Sequence, residues 1–158
     1  MPITTPKNNI AEELAGLAQN VRNVIISILR EEAMKTADAI KTPAEGGGYR
    51  SYKDQTGNLT SSIGYVIVVD GAIVGEYGFR SYQPTATEGA NKGLEYARQI
   101  ASTFPEGIVV VVSAGMDYAA YVEYKGLGGM TAGEQGLRNE IHKRMLELQA
   151  EIKQLLSN

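Results

Sequence analysis

The chain has no cysteine, no tryptophan, one histidine and two phenylalanines among its 158 residues. The lack of cysteine excludes disulfides, thiolate zinc sites, iron–sulfur clusters and thiol nucleophiles. One histidine cannot supply the two-histidine HExxH metal motif. Unbroken apolar runs stop at five residues, as in Tyr65–Val69 and Ile108–Val112. A membrane-spanning helix needs about 20. The opening residues, MPITTPKNN, lack the apolar core of a signal peptide, so the expected chain is soluble, made inside a cell, with no membrane partner. Basic excess is missing too: 15 lysines and arginines face 18 acidic residues, a net charge of −3. A free-standing DNA binder normally has the opposite balance.

Catalytic motifs are equally scarce. There is no Gly-x-Ser-x-Gly elbow and no Gly-Lys-Ser/Thr phosphate loop. The stretch GLGGMT at 126–131 imitates a dinucleotide fingerprint, but Thr131 stands where the last glycine belongs and no clean strand precedes it. His142 lies in an amphipathic segment beside Lys143 and Arg144, and reads as a solvated helix residue. Asp54, Asp117 and Glu123 read as turn caps or solvated carboxylates rather than an acid–base or metal pair. The expectation is a non-enzyme without cofactor or metal.

What is present is enough for one domain, residues 1–158, with 43% hydrophobic and 21% charged residues. Ile10, Leu14, Leu17, Val21, Val24 and Ile28 repeat at alternating steps of four and three, which predicts a helix over 10–40 with one apolar stripe. Asn9 and Glu12 have the spacing of a capping box, and Thr42-Pro43 ends the helix. About 45 Å of helix exceeds what a small core needs, so part of it is expected to pack outside its own domain. Residues 41–57, with Gly46–Gly48, read as a flexible loop. Tyr49, Arg50, Tyr52 and Lys53 within it are candidate partner contacts.

Residues 58–125 read as a small sheet with a helix inserted at 85–104. Ile63–Val69 and Ala72–Phe79 form a hairpin around Asp70-Gly71. Ile63, Tyr65, Ile67 and Val69 alternate with Val66 and Val68, both sets apolar, so both faces of the strand should be covered. Thr85 and Glu88 suggest a second capping box, and Gly89 and Gly93 share a face that admits another backbone. Ile108–Ala114 is rich in β-branched residues and is expected at the sheet centre. Tyr118, Tyr121 and Tyr124 follow as further interface candidates. Thr131 and Glu134 suggest a third capping box, opening a helix over 132–156 with Leu137, Ile141, Met145, Leu148, Ile152 and Leu155 on one seam. The class is α+β: a small antiparallel sheet of three or four strands flanked by long terminal helices and a middle helix. Such a sheet leaves edges to be covered or paired with another chain.

Two segments together resemble a known family. DQTGNLTSSI at 54–63 is similar to a TG-x-L-x-x-SI motif, matched by Thr56, Gly57, Leu59, Ser62 and Ile63. YAAYVEYKG at 118–126 is similar to a YA-x-YVE-aromatic-x-G motif, matched by Tyr118, Ala119, Tyr121, Val122, Glu123 and Tyr124. In that order, between terminal helices, they resemble the tail-completion, or head–tail joining, family of tailed double-stranded DNA bacteriophages. The resemblance implies a structural virion protein at the neck or tail end, assembled in the host bacterial cytoplasm. It implies a homo-oligomeric ring contacting other neck, portal-adaptor or tail-tube proteins, with DNA passing only transiently through its channel. Lys125 before Gly126 and the helix at 85–104 depart from the pattern. The alternative reading is a cellular adaptor module that binds a partner coiled coil through its heptad-patterned helices.

Overall fold

The computed structural model describes residues 7–158. Helix α1 (Lys7–Lys41) is followed by a single 3-10 turn (Ala44–Gly46), a one-turn helix α2 (Asn58–Ser61), strands β1 (Ile63–Val69) and β2 (Ala72–Tyr77), helix α3 (Gly89–Ala101), strand β3 (Ile108–Ala114), short helix α4 (Ala119–Tyr124) and helix α5 (Met130–Ser157). The class is α+β, with an antiparallel sheet between long terminal helices.

The sheet order is β2-β1-β3. The β-branched strand β3 is therefore an edge, not the centre. Its composition reflects cover on its two faces rather than pairing on its two sides. The centre is β1, whose residues Ile63–Val68 are all buried. Its two apolar sets separate as the alternation requires. Tyr65 and Ile67 pack on Ala33 and Ala37 of α1, with Val69, Tyr77, Val110 and Val112 around them. Val66 and Val68 pack on Ala97 and Ala101 of α3, with Val111 and Phe79. The β1–β2 turn has positive φ at both Asp70 (48°) and Gly71 (83°), the hand that matches strand twist. Asp70 also ties the turn outward: Gly107 N donates to its Oδ1 at 2.9 Å, and Arg22 of α1 pairs with its Oδ2.

The capping boxes do not form. Helix α1 already runs from Lys7, so Asn9 lies inside it. Thr85 donates its hydroxyl to Thr56 O instead of capping α3. Helix α5 opens at Met130, before Thr131, and Glu134 pairs with Arg138 at 2.8 Å. At α3 and α5 a side chain from elsewhere in the fold supplies the cap instead.

Helix α5 returns along α1. Arg144 Nη1 lies 2.7 Å from Glu31 Oε2 and 2.8 Å from Glu32 Oε1, and Lys35 also reaches both carboxylates. The hydrogen bonds from Lys35 and then Arg144 hold the Glu31 carboxyl at about 2, below its ordinary 4.5. A carboxyl lowered on folding favours the folded state above its unfolded value and loses that effect as pH falls. The α1–α5 contact should therefore weaken between about pH 4.5 and 2. Arg144→Met is expected to move the Glu31 carboxyl upward, read by NMR titration. It should also lower stability in urea unfolding, because buried Glu32 loses Arg144 and keeps Lys35 as its charged donor.

Candidate functional site

The two motif segments meet at the end of the sheet. Gly57, with φ 78°, starts α2, and Asp54 clamps this turn: its Oδ1 accepts from Gly57 N at 3.0 Å and its Oδ2 from Thr60 N at 2.7 Å. Asn58 Oδ1 accepts from Glu88 N and Gly89 N and so caps α3. Ser62 is fully buried, donates to Leu59 O at 2.8 Å and accepts from Gly115 N at 3.2 Å. Leu59 and Ile63 are buried beside it. Gly89 and Gly93 let α3 press against this turn: a Cβ on Gly89 would stand 2.0 Å from Asn58 O, and one on Gly93 2.3 Å from Ser62 O. The matched residues of the first motif thus build a rigid corner rather than a binding surface.

The second motif does two things. Glu123 reaches from α4 to the start of α5, where its carboxylate accepts from Met130 N at 2.9 Å and Thr131 N at 2.8 Å. Burial pushes the Glu123 carboxyl up, but the hydrogen bonds from Thr131, Met130 and Gly129 outweigh this and lower it. Glu123 is the N-terminal cap that Thr131 was expected to supply. The tyrosines of the motif point outward instead. Tyr121 and Tyr124 are 64% and 86% exposed, and Tyr118 is exposed too, beside Thr56.

The loop candidates divide. Pro43 pairs with Arg50 as an isolated bridge, Tyr49 N donates to Ala39 O and Ser51 N to Leu127 O. The 41–57 segment therefore ties the end of α1 to the α4–α5 junction. Tyr52 is half-buried, its hydroxyl 3.2 Å from Thr60 Oγ1, with the Arg50 guanidinium over its ring at 5.4 Å. Tyr49 and Lys53 are exposed. The structure brings Tyr52 and Tyr118 to the same corner. It sets Tyr121 and Tyr124 apart on α4.

Two further surfaces lack a partner among the described residues. Every residue from Asn9 to Asn20 is exposed. Ile10, Leu14 and Leu17 of the α1 stripe are 57%, 59% and 38% exposed. An overhang of this length is marginal as an isolated helix in water. The second surface is a groove of about 850 Å³ along β3, between the sheet edge and α5, with Val110, Val112, Leu137, Ile141 and Met145 in its lining and Arg138 and His142 beside them. Helix α5 is seated on α1, so its seam is only half-buried and Leu155 is 71% exposed. The sequence stripe signalled the overhang. The groove had no sequence signal, because it joins an edge strand to a helix that opens 16 residues after the strand ends.

Comparison with protein-family models, with curated proteins and with solved structures finds no match. Among the described residues no helix is long and apolar enough to cross a membrane, and no three histidine or acidic side chains are grouped to hold a metal. The acids weighed as catalytic in the sequence have other contacts: Asp54 and Glu123 accept backbone N–H groups, and Asp117 is exposed, 3.9 Å from Lys92.

Proposed function

We propose that this chain is a structural virion protein that assembles with copies of itself into a ring at the neck or tail end of a tailed double-stranded DNA phage. The ring joins head to tail and leaves a channel for DNA. One observation carries the reading: the exposed apolar stripe of the α1 overhang and the open apolar groove beside the β3 edge lie on the same chain. Different patches that fit each other make a head-to-tail contact, and such contacts close into rings when the rotation allows. A neighbour in the groove also covers the β3 edge. The motif resemblance and the outward tyrosines of α4 support contacts with the rings above and below.

Magnitudes favour a closed assembly over a loose pair. Full burial of a leucine or isoleucine is worth about 1.5–3 kcal/mol. About half of that remains to be gained at Ile10, Leu14 and Leu17, given their exposure. Association costs about 4 kcal/mol or more, so one contact is weak while a ring gives each subunit two. Electron microscopy of the purified chain, alone and with its genomic neighbours, tests the reading. Rings with an axial opening support it. Compact monomers in both samples, or a stable pair with an unrelated coiled coil, contradict it.

A further inference from the structure

We propose that the polar cleft between the C-terminal end of α1, the 50–60 turn and the segment after β2 is a binding site for a single carboxylate group. The cleft has a volume of about 440 Å³ and is lined by Lys41, Arg50, Arg80, Asp38, Asp54 and Tyr82 among others. Lys41 is only 7% exposed. Its ammonium donates to Gly78 O and to Tyr82 Oη at 3.0 Å, and stands 4.9 Å above the Tyr82 ring. Arg80 lies over the same ring at 5.1 Å. Arg50 is stacked on Tyr52, and its Nε–H is buried with no acceptor. Among the described residues none of these three cations has a carboxylate within 4.0 Å, although six other lysines and arginines do.

The cleft's own carboxylates are engaged elsewhere. Asp38 accepts from the Tyr77 hydroxyl at 3.1 Å, and Asp54 accepts two backbone N–H groups. Three cations against two carboxylates leave one positive charge uncompensated, on a chain whose net charge is −3. A buried ammonium without a counter-ion is costly to hold. Burial accordingly pushes Lys41 below its ordinary value. Burial pushes the Tyr82 phenol up, but the hydrogen bonds and charges of Lys41 and Arg80 together outweigh it and lower it.

One uncompensated charge selects the ligand. A phosphate monoester brings nearly two negative charges and leaves one over. A phosphodiester brings one, but on a polyanion whose neighbouring charges meet an acidic protein. A carboxylate brings one charge and two acceptor oxygens that suit a guanidinium or ammonium. The source is either a free carboxylate or an acidic side chain of a protein partner. The site does not depend on the ring reading, because it is complete within one chain.

The experiment is NMR on the full chain, following the arginine Nε–H signals, with Arg50 and Arg80 assigned. Sodium acetate, the capped peptide acetyl-Gly-Glu-Gly-amide and dimethyl phosphate are titrated against sodium chloride at equal ionic strength. Acetate is expected to shift both signals saturably. The exposed substitution Arg80→Gln, which leaves the fold in place, is expected to raise the acetate dissociation constant about tenfold or more, the loss of one charge-assisted hydrogen bond. Peptide binding at least as tight as acetate assigns the site to a partner's side chain, and acetate binding without peptide binding assigns it to a free carboxylate. Acetate shifts no larger than those of chloride overturn the proposal, as does saturation by dimethyl phosphate alone. So does an acetate affinity that Arg80→Gln leaves unchanged.

Discussion

Replacing Gly93 by valine is expected to cost at least about 3 kcal/mol and to leave little folded protein, since domains have only about 5–15 kcal/mol in total. The reason is the corner formed by α3 and the α2–β1 turn. A Cβ at position 93 would sit 2.3 Å from Ser62 O and 2.7 Å from Ser62 Cα, both backbone atoms. No flexible side chain is there to move aside. Relief requires shifting α3 away from β1, which opens the cluster of Val66, Val68, Ala97 and Ala101. It also disturbs Gly115, whose own Cβ would stand 2.5 Å from Gly93 Cα. Gly16→Ala is the matched control: nothing lies within 4 Å of a Cβ there, so a gain of up to about 1 kcal/mol in helix propensity is expected. Urea unfolding of both variants decides the matter. A Gly93→Val protein within 0.5 kcal/mol (about the range of ordinary surface changes) of the parent would refute this account of the corner.

Leu14→Glu is expected to abolish self-association while leaving the fold intact. Leu14 is 59% exposed and every residue from Asn9 to Asn20 is exposed, so the isolated chain has little to lose. The change in unfolding free energy should stay within about 0.5 kcal/mol. In the proposed assembly, the same position meets an apolar groove. An unpaired carboxylate there costs several kcal/mol, which raises the dissociation constant by about a hundredfold or more. Sedimentation velocity against concentration, run beside urea unfolding, separates the two effects. Unchanged association by the variant would remove the stripe from the interface. A marked loss of stability in the monomer would mean that the stripe packs within its own chain.

Elements with a strong period were legible in the sequence. The stripe of α1, the Asp70-Gly71 hairpin, the two apolar faces of β1 and the close-approach glycines of α3 all follow from residue spacing, because the interactions that set them are local or repeat along one element. Position within the sheet was not legible. Strand β3 is as β-branched as a central strand because α1 and α3 cover its faces, and composition reports cover rather than the number of paired neighbours. The capping boxes failed for a related reason. A Thr-x-x-Glu spacing competes with caps brought by the fold, and Asn58 and Glu123, each from a different element, won those contests at α3 and α5. The motif residues were visible but their work was not: Ser62 and Glu123 hold the corner and the α5 terminus, while Tyr121 and Tyr124 are left exposed. The cleft of Lys41, Arg50 and Arg80 gave no signal, since its cations are dispersed over 40 residues and converge only when β2 returns beside α1.

The chain's lack of cysteine makes one measurement especially direct. Leu14→Cys and Leu137→Cys proteins can be mixed and treated with a short bis-maleimide, with Glu106→Cys as an exposed reference on the α3–β3 turn. If the α1 overhang of one copy occupies the β3–α5 groove of the next, the mixture yields a Leu14→Cys–Leu137→Cys product, and a ladder of higher species when both substitutions share one chain. If that product forms no faster than the product with Glu106→Cys, or if the doubly substituted chain links only to itself as a monomer, the head-to-tail contact does not exist.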